Sequence, residues 1–174
     1  MIVLTVPGIG GSGPEHWQSR WEALHADTRR VEQADWNQPQ RAAWLSRLDA
    51  AVANAGHDCV LAAHSLGCLL VAHWASHRPR SIRGALLVAV PDPDGPVFPA
   101  EAAEFTLLQH ALPFPALVVA SQDDPYGGLV FSERIARTWG AELVDAGARG
   151  HLNAASNLGD WRAGRALLAR LADA

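Results

Sequence analysis

The chain has 174 residues, 49% hydrophobic and 18% charged, which suits one globular domain with its own core and excludes a disordered chain. Fourteen basic against eighteen acidic residues leave a formal charge of -4, so there is no electrostatic case for nucleic acid or an anionic membrane as partner. Every basic residue is Arg, which excludes Schiff-base chemistry, a Ser-Lys dyad and a lysine-bearing phosphate loop.

Short β-rich apolar runs alternate with longer segments of helical period, the pattern of crossover connections and a parallel sheet. The expected fold is α/β, as a single domain over residues 1–174. The first strand is IVLTV (2–6). No basic leader precedes it and no apolar run approaches the ~18 residues of a membrane span, so a soluble cytoplasmic protein is expected. A glycine loop, P-G-I-G-G-S-G, follows, with a helix expected from Pro14 and Glu15 in its first turn. Next come a strand RRVEQ (29–33), a helix from Gln40, and a strand CVLAA (59–63) that runs into A-H-S-L-G and a helix from Ser65. Cys59 and Cys68 lie on apolar segments without C-x-x-C spacing and read as buried free thiols. After the strand IRGALLVAV (82–90), PDPDGPVFP (91–99) holds four of the eleven prolines and must be a loop; residues 91–114 are expected to form a short lid with a helix near Ala100. The chain closes with the strand ALVVAS (116–121), a helix near Val130, the strand AELVDA (141–146), and a helix from Gly159 or Asp160, with Asn157 or Asp160 as its cap.

Four candidate stretches follow predicted strands: the glycine loop, A-H-S-L-G, S-Q-D-D-P-Y-G-G and A-R-G-H-L-N. In open parallel sheets ligands bind beyond the carboxyl ends of the strands, so all four belong on one edge. Ser65 would sit on a tight strand-to-helix turn with its hydroxyl above the sheet and the helix N–H groups beside it, where the simpler role for a serine is an N-cap. The usual G-x-S-x-G is altered, with Ala63 at the first glycine position and Gly67 at the second.

A serine nucleophile needs a histidine base and a carboxylate that orients it. Only His110 and His151 lie comfortably beyond Ser65, and His151, in a Gly-His turn after the last strand, is the better placed. For the acid, Asp124 is preferred to Asp123 because Pro125 fixes the chain just after it; a loop aspartate such as Asp123 more commonly binds local backbone N–H groups. His64 reads as a packing or hydrogen-bonding support and His16 as a structural or substrate-facing residue. The backbone N–H groups of Ile9 and Leu66 are the expected oxyanion hole.

Gly8, Gly10 and Gly13 also spell G-x-G-x-x-G, with Glu32 and Asp35 about 20 residues on, as in dinucleotide sites. Against that, Pro14 starts the helix after the third glycine, and the chain leaves little room for a substrate domain. Seven Trp residues against one Tyr and four Phe suit core packing, with an aromatic cage at Trp36 or Trp139 as the alternative.

Taken together, V-P-G-I-G-G with His16-Trp17, D-W-N-Q-P around Trp36, A-H-S-L-G, S-Q-D-D-P and G-H-L-N resemble the small serine hydrolase family that includes retinoblastoma-binding protein nine and its bacterial relatives. The resemblance runs nearly the whole chain. It implies a compact α/β-hydrolase with about six parallel strands ordered 2-1-3-4-5-6, and Ser65, Asp124 and His151 as a catalytic triad. The expected chemistry is acyl-enzyme hydrolysis of small carboxylic esters, extending to thioesters and activated amides, with no cofactor and no metal. The expected partner is a small-molecule acyl substrate, and the oligomeric state is open. A binding or adaptor protein that keeps the fold is the competing class.

Overall fold

A computed structural model describes residues 1–77 and 80–172. One six-stranded sheet carries the fold, ordered β2-β1-β3-β4-β5-β6, and every pairing is parallel. Its strands are β1 (Ile2–Val6), β2 (Thr28–Arg30), β3 (Cys59–His64), β4 (Gly84–Val88), β5 (Ala116–Ala120) and β6 (Glu142–Asp145). The helices are α1 (Trp17–Leu24), α2 (Arg41–Ala55), α3 (Leu66–His77), α4 (Leu129–Trp139) and α5 (Arg162–Ala172).

The interior strands are apolar apart from Thr5 and His64 because both faces of the sheet are covered, and side chains alternate between the two cores with the period of a strand. Leu4, Val6, Leu61, Ala63 and Leu87 join Trp44, Leu69, Trp74 and Ile135 from α2, α3 and α4. Val3, Val60, Ala62, Leu86 and Val88 join Trp17 and Trp21 of α1 with Leu168 and Leu171 of α5. Five of the seven tryptophans are buried to 2% exposure or less. Trp139 is one of them, and Trp36 packs over Gly11, so neither lines a cage.

All six expected strands are present, and several boundaries move for local reasons. The second strand ends at Arg30 rather than residue 33; it is an edge strand that pairs with β1 alone. Helix α1 begins at Trp17 rather than Pro14: the His16 N–H closes a turn onto the Gly13 carbonyl, and the His16 Nδ1 then caps the helix by accepting from the Gln18 N–H. The helix expected near Ala100 is a single 3-10 turn, Ala100–Ala102. Beyond it Phe105 is fully buried and the Leu108 carbonyl accepts from Trp139 Nε1, which anchors this stretch to α4 while Thr106 and residues 109–111 stay exposed. Of residues 91–114, Pro91, Val97, Phe98 and Pro99 line the cavity. Helix α5 begins at Arg162 because Gly159 and Trp161 have positive φ, which is incompatible with a helix. Neither expected cap is used: Asn157 closes a preceding 3-10 turn, and the first α5 hydrogen bond goes from Arg165 N–H to the Trp161 carbonyl.

Candidate active site

The four candidate stretches meet at the carboxyl ends of β1, β3, β5 and β6, around a cavity of about 580 Å³. Its floor is the turn between β3 and α3, which consists of Ser65 alone. Ser65 has φ of 54°, a left-handed conformation that costs a non-glycine residue about 1–3 kcal/mol and persists only where its surroundings enforce it. The Ser65 N–H donates to the Val88 carbonyl at 3.0 Å, and the Ser65 carbonyl accepts from Cys68 N–H at 2.8 Å. The crowded glycine is Gly67, where a Cβ would lie 2.1 Å from the Val6 carbonyl oxygen. Ala63 instead places its methyl in the core shared with α3, so the altered first position of the motif fits this turn.

His151 Nε2 stands 2.9 Å from Ser65 Oγ, and His151 Nδ1 stands 2.9 and 3.0 Å from the two carboxylate oxygens of Asp124. The Asp124 side chain is fully enclosed, and its Oδ1 also accepts the Tyr126 N–H at 3.0 Å. Asp123 points elsewhere. Its Oδ1 accepts from Gly150 N–H at 2.7 Å and from Ser121 Oγ at 2.8 Å, and these hydrogen bonds, Gly150 first, hold its carboxyl below the usual range. Asp123 thus ties the end of β5 to the loop that carries His151. His110 lies on the segment between the lid and β5 and is not part of the cavity lining.

Two more histidines back this arrangement. His64 Nε2–H donates to the His151 carbonyl at 2.8 Å, so the residue before Ser65 holds the backbone of the base loop. The His16 and His64 rings meet edge to face at 4.6 Å, and His64 and His151 lie 4.9 Å apart. Burial, then the Arg30 charge, lowers His16 to about 4, and burial holds His64 well below the imidazole range. Both are neutral near pH 7. Since His16 Nδ1 accepts from Gln18 N–H, its proton sits on Nε2, which is buried without a partner among the described residues.

Across the cavity, the glycine loop presses against the nucleophile turn: a Cβ on Gly8 would stand 3.1 Å from both Leu66 N and Ser65 Cβ. Among the described residues neither the Ile9 N–H nor the Leu66 N–H donates to a backbone carbonyl, and both residues line the cavity. Leu66 opens α3, so the positive end of that helix faces the same point. The loop is fixed from behind. Arg30 donates to the Gly11 carbonyl at 2.7 Å, the Ser12 carbonyl at 3.2 Å and Ser19 Oγ, and is itself paired with Glu22. The third glycine of the dinucleotide-like pattern, Gly13, lies in open space where a Cβ would meet nothing within 4 Å, whereas that fingerprint requires it against the strand. Asp35 is occupied by the Asn37 and Gln38 N–H groups.

Three contributors lie outside what the sequence pattern points to. Arg30 is legible there only as part of a strand, yet it is the anchor of the glycine loop. Tyr126 lays its ring 4.5 Å from the His151 ring, and Trp17 Nε1 donates to the Leu152 carbonyl at 3.0 Å. The one available signal is Arg30 itself, a charge on the strand next to the glycine loop.

A parallel sheet of this order, with Ser, His and Asp in hydrogen-bonded series at its carboxyl edge, defines an α/β-hydrolase. The chain belongs to the serine hydrolase family, which it matches over residues 3–170. It is similar to a YdeN-like hydrolase from Pectobacterium atrosepticum, with 31% identity over 99% of this chain and 90% of that one and a TM-score of 0.89. More distant likenesses in fold are a thermophilic esterase from Thermogutta terrifontis, 19% identical over 98% and 89% of the two chains with a TM-score of 0.70, and the type II thioesterase BorB of the borrelidin biosynthetic cluster, 16% identical over 98% and 91% with a TM-score of 0.64. No curated protein matches the sequence significantly.

Proposed function

We propose that this hydrolase cleaves small carboxylic esters through an acyl-enzyme, with Ser65 as nucleophile, His151 as general base and acid, and Asp124 as the group that orients the imidazole. The observation that carries the reading is the unbroken series Ser65 Oγ, His151, Asp124 at 2.9 Å per step on the cavity floor. Ser65 Oγ attacks the acyl carbon while His151 Nε2 takes the hydroxyl proton, and the enclosed Asp124 carboxylate stabilises the imidazolium and fixes its tautomer. The carbonyl oxygen becomes an oxyanion, for which the Ile9 and Leu66 N–H groups are the donors, each worth about 3 kcal/mol in the transition state. As the C–O bond breaks, His151 returns the proton to the leaving alkoxide. Water then attacks the Ser65 ester by the same route, releasing the carboxylic acid and restoring the serine.

The partner on this reading is a small-molecule acyl substrate, admitted beside the loop at residues 91–99 that lines the cavity. The test is a fluorophosphonate probe with the adduct located by mass spectrometry. Labelling is expected at Ser65 and is lost in His151→Ala; a protein that stays unlabelled at Ser65, or labels equally well without His151, is a binding protein on a hydrolase fold.

A further inference from the structure

Charge is distributed unevenly around the cavity. Among the described residues its walls present no Arg, Asp or Glu side chain; the ionisable residues in them are His16, His64, His151 and Tyr126. The chain that closes the β4–β5 side carries carboxylates only: from Gly84 to Glu133 there are seven Asp and Glu and no Arg or Lys. Two of these, Asp92 and Asp94, flank the residues that reach the cavity from the proline-rich loop. Arg149, two residues before His151, lines a different cavity beside α5, with Trp161 and Leu167.

Apolar surface is concentrated at the same mouth. Six large hydrophobic side chains are exposed among the described residues, and three of them, Ile9 at 37%, Val97 at 48% and Tyr126 at 36%, stand on this one rim. Phe98 and Pro91 continue the apolar wall inward. Exposed hydrophobic residues scattered singly are ordinary, whereas a cluster on the rim of a pocket marks what the pocket binds.

Resting on the Ser65 reading above, we propose that the cavity selects uncharged substrates with an apolar acyl group and discriminates against acyl groups carried on polyanionic thiols such as coenzyme A. The apolar rim removes acyl surface from water as the substrate enters. A phosphate-bearing carrier finds no cation among the described lining residues to receive it, and meets Asp92 and Asp94 on the loop that forms one wall of the mouth. The discrimination is against the charge of the carrier and not against the thioester bond, since the attack of Ser65 and the return of the proton by His151 are the same for both leaving groups.

The experiment compares butyryl-coenzyme A with S-butyryl-N-acetylcysteamine, which share the acyl group and the thioester bond and differ in the pantothenate arm, the adenosine and the phosphates, so the response to salt reads the part due to charge; a gap that salt does not narrow is one of size and overturns the proposal. We expect kcat/KM for the coenzyme A ester to be at least tenfold lower at low salt, mainly through KM. The gap should narrow as added salt shortens the screening length and also in Asp94→Arg. Val97→Asp should raise KM for the N-acetylcysteamine ester about tenfold. Equal rates for the two thioesters, or a faster coenzyme A ester, overturn the proposal. So does a Ser65 that labels with fluorophosphonate in a protein that hydrolyses neither. Failure of labelling at Ser65 would instead remove the hydrolase reading itself.

Discussion

Two walls of the cavity are built in opposite ways. The wall formed by the glycine loop and the base loop is cross-linked by side chains onto backbone: Arg30 to Gly11 and Ser12, His64 to His151, Trp17 to Leu152, Asp123 to Gly150. The proline-rich wall, residues 91–99, is held by its own turns, Gly95 to Asp92 and Phe98 to Gly95, and by one backbone bond from Asp92 N–H to the Tyr126 carbonyl. The difference follows from what each wall has to present. An oxyanion donor displaced by an ångström loses much of its value, whereas an apolar wall works at any arrangement that excludes water.

The contrast can be broken most severely at the acid. Asp124→Asn should lower kcat on the order of 10⁴-fold while Asp123→Asn, which loosens the base loop but leaves the imidazole its partner, lowers it about tenfold; steady-state kinetics on a butyrate ester decide between them. Reversed magnitudes would make Asp123 the acid.

A second break uses pH. His16 is neutral down to about 4 in the folded protein and takes up a proton near 6.5 when unfolded. The unfolded state therefore binds more protons between these values, and stability is present above pH 6.5 and lost as pH falls towards 4, by about 3 kcal/mol for this residue. Measured against His16→Gln, the urea midpoint of the protein should fall progressively from pH 6.5 to pH 4; a constant difference across that window would refute the assignment. His64 is held down chiefly by burial and secondarily by the His16 charge, and losing that second contribution in His16→Gln moves the comparison in the same sense.

A smaller effect is expected from Arg30→Met, which removes the anchor without touching the reaction: kcat should fall about 30-fold, close to 2 kcal/mol, with KM nearly constant. A matched rise in KM would mean that the loop serves binding alone. The smallest belongs to the loose wall, where Val97→Ala should change kcat/KM for a butyrate ester by less than about threefold and leave kcat alone.

Much of this is legible in the sequence because the relevant signals are local. Alternation of apolar runs with helical segments is enough to place six strands, and the order of Ser65, Asp124 and His151 along the chain is enough to bring them to one edge. The preference for Asp124 over Asp123 rests on Pro125 after it, and in the structure the Asp124 carboxylate stands within hydrogen-bond distance of His151. What is not legible depends on contacts between distant segments. Arg30 shows in RRVEQ only as a charge on the second strand, with its partners in the glycine loop left unspecified, and Tyr126 looks like a turn residue until its ring meets His151. The start of α1 differs from the expected one because the strong local preference of Pro14 is overridden by His16 as the cap.

The hydrogen bond from His64 to the His151 carbonyl has a mechanical meaning. Ser65 and His151 are 86 residues apart along the chain, and six crossing elements could each contribute drift to their separation. His64 and Ser65 share a peptide unit, so the clamp on the base and the atom the base must reach ride on the same few covalent bonds. Of the bonds that hold the base loop among the described residues, this one alone starts from the residue next to the nucleophile, so it refers the position of the base directly to the dipeptide at the end of β3.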